Sequence, residues 1–325
     1  MSTWKLCSSL AAPMEAFIAL RRASGTDYRS GAQLLRYFDR YLVHARLNPL
    51  RLTREITDRY QETLARLAPL TRASRLCVLK QFGEYLARND PLTYVPESPF
   101  GPSLHTVHTP YIFSLSQVQA LLKAASLLPQ PGSLRPQTYV TLLGLLYSTG
   151  VRIGEACALR LENFHASEQR LYIAAGKFHK ARWVALSESS CRAVERYVER
   201  RLCQQPCAPD SSLFINGRRT HLHHDNVNRT FHRLLRQAGI PRHRDTRPRI
   251  HDLRHTFAVH RLLEWYRDGI DVNARLPWLA TYMGHVAIHS TQVYLHATPE
   301  LIEHVEGRFH RYYLQHVNSL GGTQS

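Results

Sequence analysis

A histidine and an arginine three residues apart are the first residues in this sequence whose types and spacing suggest chemistry. His251 and Arg254 follow Pro248, and the residues through Tyr266 show a helical pattern that stops at Gly269. On a helix, residues three apart lie on one face. A guanidinium can hold two phosphate oxygens at once, and an imidazole can donate a hydrogen bond or transfer a proton. The pair therefore predicts a phosphate site, with a capped surface helix as the alternative.

A second arginine occurs where one predicted helix ends and another begins. Thr149 and Gly150 are predicted to end the first helix, and Arg152 falls in the first turn of the next. Arginine is unfavourable at the positive end of a helix dipole, so its guanidinium is expected to hold an anion together with nearby backbone N–H groups. Glu155 is predicted either to form an ion pair with Arg152 or to orient it, and the two interpretations are compatible.

Two lysines lie in a predicted hairpin turn. The runs 170–175 and 181–186 are β-like, and the turn 176–180 connects them. Lysines in turns are usually solvated, but a lysine on a mobile hairpin can also deliver a proton. Lys177 and Lys180 are therefore both candidate proton donors.

The charge of the chain indicates a polyanionic partner. Its 325 residues include 42 Lys and Arg against 25 Asp and Glu, which gives a formal net charge of +17. Nucleic acid is the first expectation for such an excess, and a basic enzyme of unrelated function is the alternative. Because the basic residues are spread along the chain, a footprint that wraps around the partner is favoured over a basic tail.

The sequence carries no signal for secretion, a membrane span or a metal. The longest apolar run, 139–147, is too short to cross a bilayer. The six scattered cysteines are expected to be free thiols in a reducing compartment. A zinc site at Cys203 and Cys207 with three nearby histidines would fit no standard spacing, so no metal or other cofactor is predicted. The expected location is the cytoplasm, in association with the nucleoid.

Periodicity and proline content divide the chain into two domains. Residues 1–97 are predicted to be a helical domain, 98–110 a proline-rich linker and 111–325 a mixed domain. The fold class is therefore mainly α with a small β-sheet (α+β). Besides the helix after His251, the predicted helices are 14–23, 28–45, 53–67, 73–87, 114–127, 139–147, 189–202 and 222–237. Thr71 is the predicted N-cap of helix 73–87, and 212–215 is a further predicted strand.

Taken in order, these residues resemble the active site of the tyrosine recombinases, the family of phage integrases and Xer-like proteins. The resemblance is carried by Thr149-Gly150-Val151-Arg152-Ile153-Gly154-Glu155, Gly176-Lys177 with Lys180 and Arg182 after it, His251-x-x-Arg254-His255, Met283-Gly284-His285 and Tyr294. It covers roughly residues 110–300, and residues 1–97 resemble that family's core-binding domain more loosely. Each motif alone is weak, but their order and spacing together are specific. The turn departs from the family pattern, so Lys180 stays a rival to Lys177.

The resemblance implies an enzyme that cleaves and rejoins DNA without a metal, and the residue types agree with that chemistry. A phosphodiester gathers negative charge on its non-bridging oxygens in the transition state. Arg152 and Arg254 can bind those oxygens, with His251 and His285 as further donors. The motifs lack the clustered carboxylates that two-metal nucleases use to hold their ions.

The predicted nucleophile is Tyr294, which would form a covalent 3′-phosphotyrosine. Because the pKa of tyrosine in water is near 10, the phenol needs an acceptor such as His251 and a positive field. Lys177 is the predicted donor to the leaving 5′-hydroxyl. Tyr282 is a rival nucleophile that is expected to be packed, and the tyrosines at 312–313 are expected to be interface or core residues.

The expected partners are double-stranded DNA and further copies of the chain. Basic residues predicted to contact DNA phosphates, with solvated charge as the alternative, are Arg72, Arg75, Lys80, Arg244, Arg247 and Arg249. An apolar stripe on a predicted final helix consists of Leu301, Ile302, Val305, Phe309 and Tyr312. The resemblance implies that this helix docks on a neighbouring protomer in a tetrameric synaptic complex, and packing on its own domain is the alternative. Accessory recombination proteins are a further candidate class of partner.

Two other functions fit parts of the pattern. A type IB topoisomerase shares this chemistry but relaxes supercoils as a monomer, and the sequence around Tyr294 with the long C-terminal helix favours a recombinase. A non-catalytic DNA-binding regulator on the same fold would have lost the tyrosine or an arginine, and this chain has lost none of them.

Overall fold

The computed structural model describes residues 5–25, 28–97, 110–129, 133–174, 181–204, 207–240 and 248–284. The chain divides into two compact units, Met1–Val107 and His108–Ser325. Of the predicted linker, residues 98–109 lie outside the described residues. The described residues form helices and a small sheet, which confirms the predicted fold class.

The described part of the N-terminal unit is helical. Its helices are α1 (Ala11–Ala23), α2 (Arg29–His44), α3 (Arg54–Thr63) and α4 (Pro69–Ala87). Leu79 and Phe82 on α4 are buried in the core of this unit, and Leu86 packs against that core. The predicted start of that helix is wrong: α4 begins at Pro69, and its N-cap is Ala68 instead of Thr71. Proline suits the first helical position because its fixed φ is already helical and its missing N–H costs no hydrogen bond there.

The C-terminal unit surrounds its own apolar core with seven helices in its described residues. They are α5 (Leu115–Ser126), α6 (Arg135–Thr149), α7 (Ile153–Ala158), α8 (Glu188–Gln204), α9 (His224–Gln237), α10 (Asp252–Arg267) and α11 (Val272–Met283). The predicted start near Ser114 is confirmed as a capping box: the Ser114 side chain accepts from the Gln117 N–H, and the Gln117 side chain accepts from the Ser114 N–H.

The turn between α6 and α7 requires glycine. Gly150 has a φ of +63°, and a Cβ atom there would lie 2.4 Å from the Phe257 ring on α10. Only glycine combines this backbone conformation with so close a neighbour. The chain therefore turns tightly against α10 and presents Arg152 two residues later.

A three-stranded antiparallel sheet packs one face on this core. Its order is β1 (Phe164–His165), β2 (Arg170–Ile173) and β3 (Arg182–Ala185), with Leu171 opposite Val184. The predicted pairing of the two β-like runs is confirmed. Strand β1 could not be predicted from the sequence, because two residues are too short for an alternating pattern. The predicted strand 212–215 is wrong: its residues form only isolated bridges, since no neighbouring segment supplies a continuous ladder.

Two helices complete the part of the unit that concerns the site. Helix α10 ends at Arg267, near the predicted stop at Gly269, and packs on α11 through a small apolar cluster. Helix α11 ends at Gly284, whose φ is +70°. Among the described residues, no helix is long and apolar enough to span a bilayer, and all six cysteines are free.

Candidate active site

Arg152 lies at the entrance to α7 and is held by Glu155. It is the N-cap of the helix, one position before the predicted first turn. Its backbone N–H donates to Glu155 Oε2 at 3.0 Å, and its Nη1 donates to Glu155 Oε1 at 2.9 Å. The carboxylate therefore does both things that the sequence suggested: it pairs with the guanidinium and it fixes the guanidinium's direction. Its negative charge also offsets the unfavourable interaction between the Arg152 cation and the positive end of the helix dipole.

A third arginine, Arg182 at the start of β3, grips the same carboxylate. Its Nη1 and Nη2 donate to Glu155 Oε1 and Oε2 at 3.1 Å and 2.8 Å, and its Nε donates to the Tyr282 carbonyl at 3.0 Å. The sequence places Arg182 in the family motif after the lysine turn but predicts no role for its side chain. The available signal was strand alternation, because Arg182 shares the inward face of β3 with buried Val184. An arginine on an inward face needs a buried partner.

Arg254 is buried on α10, with 2% of its surface exposed. Its Nη1 donates to the Gly150 carbonyl and its Nη2 to the Met283 carbonyl at 2.8 Å. The side chain therefore links the turn before Arg152 to the end of α11. A guanidinium suits this position because its planar fork can satisfy two acceptors that lie on separate segments.

The three arginines converge on the C-terminus of α11. Its last carbonyls have no partner within the helix, and the helix dipole makes this end negative. Tyr282 O accepts from Arg182, Met283 O from Arg254, and Gly284 O from Arg152 Nη2 at 2.9 Å. This arrangement fixes the point at which the chain leaves α11 for His285, which lies outside the described residues.

The cluster of Arg152, Arg182, Arg254 and Glu155 includes a surplus of positive charge. The guanidinium groups of Arg152 and Arg182 share the single carboxylate of Glu155, so these three side chains carry one net positive charge. The side chains of the cluster are largely withdrawn from water, where uncompensated charge is costly. A polyanion such as a nucleic-acid phosphate would supply the missing negative charge.

His251 precedes α10 beside these arginines and is poised as a neutral base. Burial lowers its pKa most, and the positive charges of Arg254, Arg249 and Arg152 lower it further, against an opposing effect of Glu155, to about 4. Since this pKa lies well below 7, the imidazole is neutral at physiological pH. A neutral ring has one nitrogen free of a proton and can accept one.

The carboxyl of Glu155 stays ionised in spite of its burial. Burial raises its pKa, but hydrogen bonds and charge from Arg182, followed by those from Arg152, outweigh that effect and lower the pKa to about 2. A depressed carboxyl pKa stabilises the fold at a pH above the unfolded value of 4.5, and this stabilisation is lost as the pH falls towards 2.

We therefore expect Glu155→Gln to lower the free energy of unfolding by about 3 kcal/mol at pH 7. The difference from the natural chain should shrink as the pH falls from 4.5 to 2. Urea unfolding at a series of pH values measures this, with Glu162→Gln as the control because that half-exposed carboxylate pairs with Arg160 at 3.6 Å. An equal loss in both variants, or a Glu155→Gln loss that does not depend on pH, would contradict the assignment.

Several predicted site residues lie outside the described residues. They are Lys177 and its rival Lys180, His285, Tyr294, Arg244 and Arg247. The predictions for them stay predictions. Arg249 is described: its Nη2 lies 3.4 Å from Asp252 Oδ1, and its side chain is about half exposed.

The three basic residues predicted on α4 differ in their surroundings. Arg72 is exposed and lines a polar cavity of ≈ 450 Å³ with Arg54 and others. The Arg75 guanidinium stacks over the Tyr37 ring at 4.1 Å, so part of its surface is covered by its own unit. Lys80 lies 3.9 Å from Glu84. Of the three, Arg72 is the most available to a phosphate.

Tyr282, the rival nucleophile, is engaged elsewhere. Its hydroxyl donates to the Ala185 carbonyl at 2.8 Å, and its ring lies 5.8 Å from that of Phe257. Burial raises its pKa to about 12, against weaker effects of Arg261 and Arg182. Such a phenol is poorly suited to ionise and attack.

Cys203, Cys207 and the three nearby histidines do not form a metal site in the part of the chain that is described. No group of three or more His, Cys, Asp or Glu there lies close enough to hold a metal ion. Cys207 Sγ instead accepts from Arg201 Nη1.

Comparison with known proteins identifies the protein family to which this fold and this arginine cluster belong. The model of the phage integrase family matches residues 112–300. A Sinorhizobium fredii protein named as an integrase/recombinase, y4rB, is 35% identical over 305 residues, which are 92% of this chain and 96% of that protein. Tyrosine recombinase XerC of Halalkalibacterium halodurans is 28% identical over 270 residues, 78% of this chain and 79% of its own length.

Solved structures share the fold. XerH recombinase bound to a palindromic difH substrate matches with a TM-score of 0.64 and 20% identity, over 94% of this chain and 85% of that one. The Tn1549 transposon integrase in complex with transposon right end DNA matches with a TM-score of 0.65 and 16% identity, over 91% and 99%. At these identities the likeness concerns the fold alone.

The chain belongs to the phage integrase family. It is an enzyme of the tyrosine recombinase class, and its function is site-specific DNA recombination. The predictions of family, fold class and recombinase function are thereby confirmed.

Proposed function

We propose that this recombinase cleaves duplex DNA with Tyr294 and rejoins it through a 3′-phosphotyrosine intermediate, without a metal ion. The observation that carries the proposal is that Arg152 shares the single carboxylate of Glu155 with Arg182, which leaves a net positive charge on these three side chains. Guanidinium groups fixed in advance by a carboxylate and by helix carbonyls need little reorganisation when negative charge develops on a phosphate.

In this proposal each residue of the site has one task. Arg152 and Arg254 bind the non-bridging oxygens of the scissile phosphate, and His285 adds a donor. His251 accepts the proton of the Tyr294 phenol: its lowered pKa leaves the ring neutral before the reaction, but it also makes the free ring a weak proton acceptor. The bound phosphate brings negative charge beside the imidazole, so it raises the affinity of the ring for the proton that it receives.

Binding to duplex DNA is proposed for both units of the chain. The DNA-bound XerH and Tn1549 integrase structures support this for proteins of the same fold. The N-terminal unit is proposed as the core-binding domain, residues 111–325 as the catalytic domain and 98–110 as the linker between them. Phosphate contacts are proposed for Arg72, Arg75, Lys80, Arg244, Arg247 and Arg249. Action on chromosomal DNA would associate the protein with the nucleoid.

The reaction can be tested on a duplex that the protein selects from a random-sequence pool. A nick near the scissile phosphate lets a short fragment diffuse away after cleavage, so the covalent complex accumulates. We expect the full-length protein to form this complex in excess EDTA, since arginines supply the charge that a metal would otherwise supply. Loss of cleavage in EDTA that is restored by added Mg²⁺ or Zn²⁺ would overturn the proposal.

Lys177 is the proposed proton donor to the leaving 5′-hydroxyl. We expect Lys177→Ala to slow cleavage of an ordinary phosphodiester by about 10²–10⁴-fold, the usual contribution of a general acid. A 5′-bridging phosphorothiolate has a leaving group that needs no proton, so cleavage of that substrate should return to near the natural rate.

The control for this experiment is Lys180→Ala in the same turn. It should cleave both substrates at near the natural rate. If the phosphorothiolate rescues Lys180→Ala and leaves Lys177→Ala slow, the two lysines exchange roles.

The protein is further proposed to act as a tetramer that holds two duplexes. We propose that a groove of ≈ 580 Å³ between α10 and α11 binds an apolar stripe from an adjacent protomer. The stripe consists of Leu301, Ile302, Val305 and Phe309. The groove includes Trp265 and Trp278, and 71% of Trp278 is exposed. Exposed aromatic surface of this kind supports a protein interface.

Truncation after Thr298 should keep single-site DNA binding and remove synapsis and strand exchange. Trp278→Ser should have the same effect, whereas Leu115→Ser, at another exposed apolar residue, should not. Gel shifts and sedimentation of the protein–DNA complexes measure both properties. Synaptic tetramers of the truncated protein would show that the stripe packs on its own domain. Plasmid relaxation by a monomeric full-length protein would favour the topoisomerase alternative.

A further inference from the structure

Arg182 lies in the cluster, and each of its three guanidinium nitrogens donates a hydrogen bond to the protein. Only 11% of its side chain is exposed, and its donors point at protein acceptors: both oxygens of Glu155 and the carbonyl of Tyr282. Its guanidinium also lies directly against Gly284, where an added Cβ would meet Arg182 Cζ at 2.9 Å. Arg182 is therefore built into the protein, with its hydrogen-bonding fork already occupied.

The bonding of Glu155 shows what this contact does. Each carboxylate oxygen accepts one bond from Arg182 and one from Arg152: Oε1 from the two Nη1 groups, and Oε2 from Arg182 Nη2 and the Arg152 backbone N–H. Arg152 is consequently held by a single side-chain bond to the carboxylate and by one bond to Gly284 O. A guanidinium has five N–H groups, so three are not used in these two bonds.

We infer that Arg182 is a positioning residue that neutralises Glu155 and thereby keeps the charge of Arg152 available to the scissile phosphate. Without Arg182, the buried carboxylate would have one cation left beside it. It would then be expected to turn into a two-bond pair with Arg152, which is the preferred geometry of an arginine and a carboxylate. That pair would reduce the positive charge offered to the DNA. The inference rests on the proposed function, because it assigns the binding of the phosphate to Arg152.

The inference predicts an unusual pattern of rates. Arg182→Met should slow formation of the covalent complex on the nicked duplex by about 100-fold, the size of effect that misplacing a reacting group produces. Glu155→Gln alone should slow it by about 10-fold, since a neutral amide still accepts a bond from Arg152 but orients it less firmly. The double variant should resemble Glu155→Gln, because no carboxylate is left to capture Arg152.

Full-length proteins are compared in single-turnover cleavage, with affinity for the same duplex measured separately by gel shift. We expect the loss in Arg182→Met to fall on the rate and to leave the affinity within about threefold, since many other phosphate contacts supply the affinity. Arg182→Lys keeps the positive charge but cannot donate two parallel hydrogen bonds to the Glu155 carboxylate. It should recover part of the rate of covalent-complex formation. Arg170→Met is the matched control: Arg170 lies on the neighbouring strand β2, stacks on Trp183 at 4.0 Å and forms its ion pair with Glu168.

The outcomes separate the inference from the function on which it rests. Suppression of the Arg182→Met defect by Glu155→Gln, with Arg170→Met at the natural rate, supports the inference. A double variant slower than either single variant would overturn it and leave Arg182 as a purely structural residue. If circular dichroism shows that Arg182→Met is misfolded, Arg182→Lys is compared with the double variant of Arg182→Lys and Glu155→Gln. Suppression of the Arg182→Lys rate defect by Glu155→Gln then supports the inference, and its absence overturns it. If Arg152→Ala forms the covalent complex at the natural rate, the proposed function itself is wrong.

Discussion

Tyr294→Phe is expected to abolish the covalent protein–DNA complex and to leave DNA affinity unchanged. The substitution removes only the phenol oxygen, which is the proposed nucleophile. The measurement is denaturing electrophoresis of the protein with the nicked duplex, beside a gel shift of the intact complex. Tyr282→Phe is the control, because its hydroxyl donates to the Ala185 carbonyl. A Tyr282→Phe protein that loses cleavage while Tyr294→Phe keeps it would contradict the assignment.

Arg254→Ala should have the second largest effect, on rate and stability together. Loss of a donor to the developing charge costs about 10²–10³-fold in rate. The same change leaves the buried carbonyls of Gly150 and Met283 without this donor and should lower the free energy of unfolding by about 3 kcal/mol. Covalent-complex formation and urea unfolding measure the two effects.

A matched pair of variants separates these two effects of Arg254. Arg261→Ala, on the same helix, removes a half-exposed arginine that pairs with Glu264 at 2.8 Å, and it should cost no more than about 1 kcal/mol. Arg254→Lys keeps the charge, but a lysine cannot bridge two carbonyls as a guanidinium does. We expect it to regain part of the stability and to remain slow. Equal losses of stability in Arg254→Ala and Arg261→Ala would show that Arg254 does not hold α11 to α6.

Local signals in the sequence were sufficient for the elements that carry the site. The start of α5 at Ser114, the end of α6 at Gly150 and the β2–β3 hairpin each depend on a few neighbouring residues, and the sequence predicts each of them. The pairing of Arg152 with Glu155 was also foreseen, because three-residue spacing on a helix brings two side chains together.

Features that depend on distant segments could not be read in the same way. Arg182 meets Glu155 across 27 positions of the chain, and Arg152 meets Gly284 across 132. No local pattern predicts that three arginines will share the last carbonyls of α11. The strand predicted at 212–215 failed for a related reason: β-propensity describes a segment that fits a sheet, and a ladder still needs a partner.

The resemblance supplied what local patterns could not, namely that these separated motifs form one site. The structure brings Arg152, Arg254 and Glu155 into one cluster, with His251 at the head of the same helix as Arg254. The surplus of positive charge in that cluster is the physical basis for the proposed phosphate chemistry.

The proposed reaction requires a covalent bond between Tyr294 and DNA. The most direct measurement is to trap the full-length protein on the nicked duplex in excess EDTA, digest it with a protease, and identify the peptide that carries the nucleotide by mass spectrometry. We expect one modified residue, Tyr294, with the DNA attached through its 3′-phosphate. A nucleotide on Tyr282, Tyr312 or Tyr313, or a 5′-phosphate linkage, would contradict it.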